Sequence, residues 1–279
     1  MKRQQGFSLV ELMISLVLGL VITAGVIQVM VSSRVTNSLN QAISQVQESG
    51  RFIMTRLTRE LHETGRYDQI GARIDTSVDT LVESAFIQNR PIGLPGDFSA
   101  KPALGSLQST DNDKLVVNLL AEADCTGASH SHPADEEFHV VNVYEVVGSQ
   151  LICTGYDGRV LRGVDAGSVN DTQQVLMDNV QSFQVQYGIT NQRDISQGQV
   201  VRYVTADELA LARANTQQVV ALRIGVLLRG DKGLTGGIPS TDIAVLNEAK
   251  QKTDANYYYQ VFSQTLTLRN MKNFVRSAK

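Results

Sequence analysis

The chain has 279 residues, of which 42% are hydrophobic and 19% are charged, and its formal net charge is −3. A chain of this length and composition can bury a sizeable hydrophobic core. Its charge is weakly acidic, and no basic stripe with interleaved aromatic residues occurs, so a direct nucleic-acid-binding surface is not expected.

The N-terminal stretch is the most informative part of the chain. A basic hexapeptide, Met1–Gly6, precedes Glu11, and the next twenty-two residues, Leu12–Ser33, carry no charge. About 20 apolar residues of helix are enough to cross a bilayer. Because Lys2 and Arg3 precede this span, the positive-inside tendency places the N-terminus in the cytoplasm and the rest of the chain outside it.

Two simple explanations of this stretch are weak. A secretory signal peptide has an apolar core of about 7–15 residues followed by a small-residue cleavage site, whereas this run is longer and no such site ends it. A plain membrane anchor fits the length but gives Glu11 no role. An ionisable group in such a segment costs about 2.5–3.5 kcal/mol at mid-membrane, so Glu11 needs an explanation.

The segment Gly6-Phe7-Ser8-Leu9-Val10-Glu11 resembles the class III signal of type IV pilins and type II secretion pseudopilins. The resemblance implies that prepilin peptidase cuts after Gly6, removing residues 1–6 as a leader, and that the new amino group of Phe7 is methylated. It also implies that Glu11 pairs with the Phe7 amine of a neighbouring subunit during assembly. The alternative is that Glu11 only reaches towards the lipid headgroups.

Beyond Arg34 the chain becomes amphipathic. Apolar or small residues recur three and four positions apart, as on one face of a helix, at Val35, Leu39, Ala42, Val46, Ser49, Ile53, Leu57 and Leu61. We therefore expect one helix from Phe7 to Thr64, closed by Gly65, with a length of roughly 87 Å. Residues 7–33 would form its membrane-spanning or filament-core half, and residues 34–65 its amphipathic half.

Residues 66–279 are expected to form an extracytoplasmic, β-rich head. Alternating or apolar runs predict strands at Lys114–Leu120, Glu137–Val147, Gln150–Thr154, Val160–Arg162, Val175–Ile189, Gln199–Thr205, Val219–Arg229 and Tyr257–Arg269. A short helix is predicted at Asp207–Asn215, whereas Arg66–Thr110 and Gly230–Asn256 are expected to be irregular. The predicted fold is α+β, with a long N-terminal helix packed on a C-terminal antiparallel sheet, as in pilins.

The second half of the chain extends the resemblance. Four segments are similar to those of PilW-type minor pilins, and they stand in the same order: Gly65-Arg66-Tyr67, Leu176–Gly188, Val220–Arg229 and Val261–Asn270. This similarity implies a minor pilin that helps to prime or cap a type IV pilus. The implied partners are other minor pilins, the major pilin, the inner-membrane assembly platform and a large tip adhesin. A J-type minor pseudopilin of type II secretion and a tip adhesin subunit are the alternatives.

The same resemblance implies a route between compartments. The chain would first span the bacterial inner membrane once, and would then move into a pilus that crosses the periplasm and reaches the cell surface.

The chain has two cysteines, Cys125 and Cys153, both in the part expected outside the cytoplasm. An oxidising compartment favours a disulfide between them, and free thiols in separate places are the alternative. On the chain-entropy model, closing a loop of about 29 residues stabilises the fold by roughly 3.6 kcal/mol.

One cluster contains residue types that bind metals: Cys125, His130, His132, Asp135, Glu136, Glu137 and His139. The preferred interpretation is a solvated polar loop without metal, because Ser131, Pro133 and Ala134 are typical of an exposed loop. Asp111-Asn112-Asp113 resembles the start of a calcium loop but lacks the required glycine, so a turn before a strand is expected.

Catalysis has little support in the sequence. Neither a G-x-S-x-G motif nor a phosphate-binding G-x-x-x-x-G-K-[ST] loop occurs, and no carboxylate pair stands out. We therefore expect a structural protein without a cofactor.

Overall fold

The computed structural model describes residues 8–169, 171–191, 199–234, 236–246 and 248–271. The expected leader and the Gly6–Phe7 junction lie outside the described residues. The first element, helix α1 (Leu9–Leu61), is 53 residues long and continues unbroken through Gln28. After it, Gly65 adopts a left-handed φ of 72° and donates its N–H to the carbonyl of Asn118 at 2.8 Å. The long helix predicted from sequence is confirmed to within a few residues at its C-terminal end.

The remaining elements form a β-rich head. Its helices are α2 (Thr80–Asn89), α3 (Gly158–Arg162) and α4 (Ala206–Ala214). Its strands are β1 (Arg73–Ile74), β2 (Leu115–Ala121), β3 (Glu136–Val147), β4 (Gln150–Asp157), β5 (Asp171–Met177), β6 (Val180–Ile189), β7 (Arg202–Val204), β8 (Val219–Arg229), β9 (Asp242–Ile243), β10 (Gln251–Lys252) and β11 (Tyr259–Thr267).

These strands form two principal sheets. In the first, β2, β3, β4 and β5 pair antiparallel in that order, and β1 pairs in parallel with the first residues of β3. The second sheet has the antiparallel order β11-β8-β6-β7, and β9 pairs with β10 as a separate ribbon. The predicted α+β fold is confirmed, and the division of the strands between two sheets is an addition that the sequence pattern did not provide.

The two sheets meet where the sequence predicted one strand, Val175–Ile189. The run is interrupted by Asp178 and Asn179, and the left-handed φ of 59° at Asn179 turns the chain from β5 in one sheet to β6 in the other. Asparagine tolerates this backbone region better than most residues. The apolar pattern of Val175–Ile189 continues across this turn, which is why the sequence predicted one strand where the structure has two.

A second connection between the sheets is made by Asn112 and Asp113. The backbone N–H of Phe183 donates to the Asn112 side-chain oxygen at 2.8 Å, and that of Val185 donates to Asp113 Oδ2 at 2.8 Å. Asp113 N–H in turn donates to the Phe183 carbonyl at 2.8 Å. The predicted turn before β2 thus provides hydrogen-bond partners for the backbone of Phe183 and Val185 in β6. Strand β7 is too short to pair with this part of β6.

The second half of α1 packs on the head through the predicted face. Its buried residues are Ala42, Val46, Gly50, Ile53, Met54, Leu57 and Leu61, and most of them join one core with both sheets. At Gly50 a β-carbon would overlap the ring of Phe262 in β11. The absence of a side chain there is what allows this close approach between helix and strand.

The expectation of an irregular Gly230–Asn256 was wrong, since β9 and β10 form a ribbon there, and two further local predictions failed because of an aspartate cap. Val160–Arg162 belongs to helix α3 and is not a strand, because the Asp157 carboxylate accepts hydrogen bonds from the N–H groups of Arg159 and Val160 and caps a helix start. The region Arg66–Thr110, expected to be irregular, contains α2, which Asp79 caps in the same way. In both places an aspartate side chain, and not an apolar period, determines the local structure.

Candidate functional site

The N-terminal half of α1 is an apolar surface without cover from the rest of the described chain. Every residue from Ser8 to Arg34 is exposed, including Leu12 at 61% and Val29 at 71%. Among the described residues, α1 is the one helix long and apolar enough to cross a membrane. An apolar surface of this extent requires lipid or other helices around it.

Glu11 forms part of a capping box at the start of this half. The backbone N–H of Ser8 donates to Glu11 Oε2 at 3.2 Å, and the N–H of Val10 donates to Ser8 Oγ at 3.3 Å. A carboxylate at this position also interacts favourably with the helix dipole. Among the described residues no cation lies within salt-bridge distance of Glu11.

In the head, Cys125 and Cys153 are joined by a disulfide, with their Cα atoms 6.4 Å apart. The bond links the connection between β2 and β3 to the middle of β4, where Cys153 is fully buried. It therefore fixes the start of a long surface loop to the core of the first sheet.

Asp124, next to this disulfide, organises the same loop. It accepts hydrogen bonds from the N–H groups of Thr126 and Ala128, from the hydroxyl of Thr172 and from His130 Nε2. Burial alone would raise the pKa of Asp124, but the hydrogen bonds from His130, Thr126 and Thr172 outweigh burial and lower that pKa to about 2.

His132 lies between two carboxylates. Its Nδ1 is 2.6 Å from Asp75 Oδ2 and its Nε2 is 2.8 Å from Asp157 Oδ2, while its ring stacks on Phe138 at a centroid distance of 3.9 Å. Burial opposes the charged form, but the two carboxylates outweigh it and raise the pKa of His132. With an oxygen acceptor at each ring nitrogen, the imidazolium form satisfies both contacts.

This histidine belongs to a larger set that we call the buried charge cluster: Asp75, Glu83, His132, Asp157, Arg159 and Arg162. Arg159 is fully buried and binds Glu83 through two hydrogen bonds of 2.8 Å. It also lies 3.1 Å from Asp75, and Arg162 lies 2.9 Å from Glu83. Three carboxylates and three cations balance in charge, as a buried ionic group requires.

Ser131, Pro133, Ala134 and Asp135 are exposed, as expected for a solvated loop, but the histidine side chains are not. The side chains of His130 and His132 are only 7% and 6% exposed. His139 is fully buried, and its Nε2 lies 2.9 Å from Asn118 Oδ1. Burial lowers the pKa of His139 well below its ordinary value.

These three histidines therefore have separate partners and do not converge on one point. The sequence pattern missed the cluster because Asp75, Glu83 and Arg159 come from segments that are distant along the chain. No spacing signal links these three residues.

Comparisons with known proteins follow the same division of the chain. The family described as "Prokaryotic N-terminal methylation motif" matches residues 1–27, and the PilW family, "Type IV Pilus-assembly protein W", matches residues 138–270. No curated protein matches the chain.

Two solved structures show a weak likeness to this chain. A type IV-like pilin from Thermus thermophilus is 13% identical, with a TM-score of 0.44, covering 81% of this chain and 98% of that one. The second match is in the GspK-GspI-GspJ complex of the type 2 secretion system of enterotoxigenic Escherichia coli. It is 12% identical, with a TM-score of 0.31, covering 81% of this chain and 96% of the matched one. Both TM-scores are below 0.5, so the assignment rests on the two family matches.

The methylation motif, residues 1–27, overlaps the exposed apolar half of α1, and the PilW match covers most of the β-rich head. This arrangement is consistent with a pilin anchored in a membrane by α1. The two family matches, one at the N-terminus and one in the head, support assignment of the chain to the type IV pilin and minor pilin superfamily, whose members are structural subunits.

Proposed function

We propose that this chain is a low-copy minor pilin that helps to prime or cap the assembly of a type IV pilus. The observation that carries the proposal is the uncovered apolar half of α1, attached by a continuous helix to a folded head. Residues 7–33 would pass from the lipid into the helical core of the filament. Residues 34–65 would hold the head, residues 66–279, on the outer side of the membrane and then on the outside of the filament.

The proposed pathway begins in the inner membrane, with the N-terminus in the cytoplasm because Lys2 and Arg3 precede the span. Prepilin peptidase would remove residues 1–6 and methylate the amine of Phe7. The assembly platform would then transfer the subunit from the membrane into the filament. Its neighbours there would be other minor pilins and the major pilin, with a large tip adhesin as a further partner.

Glu11 supplies the proposed contact between subunits. A carboxylate in an apolar environment must be paired or neutralised, and the amine that cleavage creates on Phe7 has a pKa of about 7.7–8 and is mostly charged at neutral pH. Pairing Glu11 with the Phe7 amine of a neighbour would compensate both charges and set the axial register. The capping box supports this role because it holds the carboxylate at the first turn of α1.

The capping box also allows the charge of Glu11 to be tested separately from its capping. Gln can occupy the same capping position, so Glu11→Gln preserves the helix start and removes the charge, whereas Ser8→Ala weakens the cap and preserves the charge. We expect Glu11→Gln to insert into the membrane normally but to lose most co-purification with partner pilins and to lower pilus number. Ser8→Ala should assemble, and Glu48→Gln, an exposed position on the same helix, is the matched control.

Two results would contradict the proposal at different levels. Unchanged pilus number in Glu11→Gln would exclude the pairing of Glu11. Deletion of the gene tests the wider assignment, and we expect loss of pili and of twitching with intact export of folded proteins. Lost export with intact pili would identify a J-type minor pseudopilin of type II secretion instead.

A further inference from the structure

An open pocket of about 390 Å³ lies beside the buried charge cluster, and His132, Asp157 and Asp165 are among the residues that line it. One ring nitrogen of His132 and one carboxylate oxygen from each aspartate all lie within 4.8 Å of one another. Asp157 is buried and Asp165 is exposed. These three residues come from the connection between β2 and β3, from the end of β4 and from the loop after α3.

The contacts of His132 prepare one of its nitrogens for a ligand. Asp75 Oδ2 lies 2.6 Å from Nδ1, and Asp75 is itself held by the N–H of Ser77 at 2.9 Å and by Arg159 at 3.1 Å. A carboxylate in this position keeps the proton on Nδ1 and orients the ring, as carboxylates do behind metal-bound histidines. Nε2 then remains the atom that faces Asp157.

The carboxylate of Asp157 can serve two partners at once. Its Oδ1 accepts the N–H groups of Arg159 and Val160 at 2.7 and 3.3 Å and caps α3. Its Oδ2 faces His132 Nε2 at 2.8 Å. A ligand at Oδ2 therefore leaves the helix cap in place.

The ligand set also favours a dication. The carboxylates of Asp157 and Asp165 together carry two negative charges, which match the two positive charges of such an ion.

We propose that His132 Nε2, Asp157 Oδ2 and the carboxylate of Asp165 bind a divalent transition metal ion of the zinc class. One imidazole and two carboxylates form a donor set suited to Zn²⁺, with water in the fourth position. Ca²⁺ takes six to eight oxygen ligands and is disfavoured by the imidazole. On binding, the Nε2 proton passes to solvent, the Nε2–metal bond forms, and Asp75 acts as the positioning residue.

A bound ion would tie together the β2–β3 connection, the end of β4 and the loop after α3. The chain contains four histidines, His62, His130, His132 and His139. His130 and His139 are engaged with Asp124 and Asn118, and His62 lies at the C-terminal end of α1, whereas His132 lies within reach of both Asp157 and Asp165. The proposal is independent of the proposed role in pilus assembly.

The test uses the full chain in detergent, purified without a histidine tag and stripped with a chelator. Zn²⁺ is then added and followed by calorimetric titration and by the Tm of the head, with Ca²⁺ as the comparison ion. We expect one Zn²⁺ per chain and a rise in Tm of several degrees, with no rise for Ca²⁺. X-ray absorption of the bound zinc should show a single imidazole ligand.

Asp165→Asn is the decisive variant, because its exposed carboxylate can be removed with little effect on folding. We expect at least about tenfold weaker Zn²⁺ binding, partial recovery in Asp165→Glu, and wild-type binding in the exposed control Asp68→Asn. Equal zinc binding in Asp165→Asn and wild type, a spectrum without imidazole, or stabilisation by Ca²⁺ equal to that by Zn²⁺ would each overturn the proposal.

Discussion

The two halves of helix α1 share one continuous backbone but differ in what surrounds them. From Ser8 to Arg34 every residue is exposed, although most of them are apolar. From Ala42 to Leu61 most apolar residues lie on one face and are buried against both sheets of the head, whereas Phe52 is 56% exposed. The difference follows from the distribution of apolar residues around the helix. A helix that is apolar on all sides must be surrounded by lipid or other helices, whereas a helix with one apolar face needs only one surface to pack against.

This contrast suggests a division of roles between the halves. The second half contributes to the stability of the folded head and is already satisfied within one subunit. The first half contributes nothing to that core and remains available for lipid or for other subunits. Substitutions in the two halves should therefore affect different measurements.

The largest expected effect separates the halves directly. Leu57 is fully buried, and Leu57→Ala should destabilise the head by about 4 kcal/mol, within the range of 2–5 that such truncations show. Denaturation in detergent can be followed by tyrosine fluorescence, since the chain has eight tyrosines and no tryptophan.

Leu16 is the matched control for this truncation, because it makes the same chemical change at a position that is 59% exposed. Leu16→Ala should leave the unfolding midpoint of the head unchanged and should affect only membrane retention or assembly. Equal destabilisation by the two variants would contradict the division of roles.

The disulfide provides a second test, confined to the head. Replacing both Cys125 and Cys153 with alanine should lower the stability of the head by roughly 3.6 kcal/mol on the chain-entropy model. The helical signal of the apolar half should remain in far-ultraviolet circular dichroism. Reduced wild-type protein is the control, because it loses the bond but retains both sulfur atoms. If only the alanine variant were destabilised, lost packing and not the cross-link would explain the effect.

The smallest effect is a pH dependence that also belongs to the head. Burial, outweighing the hydrogen bonds from Val185 and Ser109, raises the pKa of Asp113 from 3.8 to about 6. The folded chain therefore holds this proton more tightly than the unfolded chain. The resulting stabilisation is complete below pH 4 and is lost as the pH rises through 6.

Between pH 5 and pH 7 this loss amounts to about 1 kcal/mol. It should appear as a difference between the wild-type pH profile and that of Asp113→Asn, in denaturation experiments at each pH. Asp111→Asn, at an exposed neighbouring position, should reproduce the wild-type profile. A profile of Asp113→Asn parallel to that of the wild type would exclude the assignment.

Local sequence patterns predicted the elements with a strong period. Helix α1, the short helix at Ala206–Ala214 and strand β8 all agree closely with expectation. Predictions failed where one polar side chain decided the backbone, as at the Asp157 cap of α3. They also failed where a period continued across a turn, as at Asn179. A single capping hydrogen bond or one residue with a left-handed backbone leaves no periodic pattern in the sequence, so neither could be predicted from hydrophobic periodicity.

The candidate sites divide in the same way. The sequence of the N-terminal segment was sufficient to identify an apolar span with a carboxylate at its start, because span length and charge depend only on neighbouring residues. It could not show that Glu11 caps its own helix with Ser8. Nor could spacing bring Asp75, Glu83 and Arg159 together, since their contacts depend on how distant segments fold over the first sheet.

By itself, therefore, the sequence determined the long helix, the exposed apolar half and the resemblance to type IV pilins. These properties arise from local composition and period, which act over a few turns of chain. Only the tertiary structure decided the division into two sheets, the burial of His130 and His132 and the pocket beside Asp165. Those features depend on contacts between residues far apart along the chain, where burial and charge compensation select a partner that no local pattern specifies.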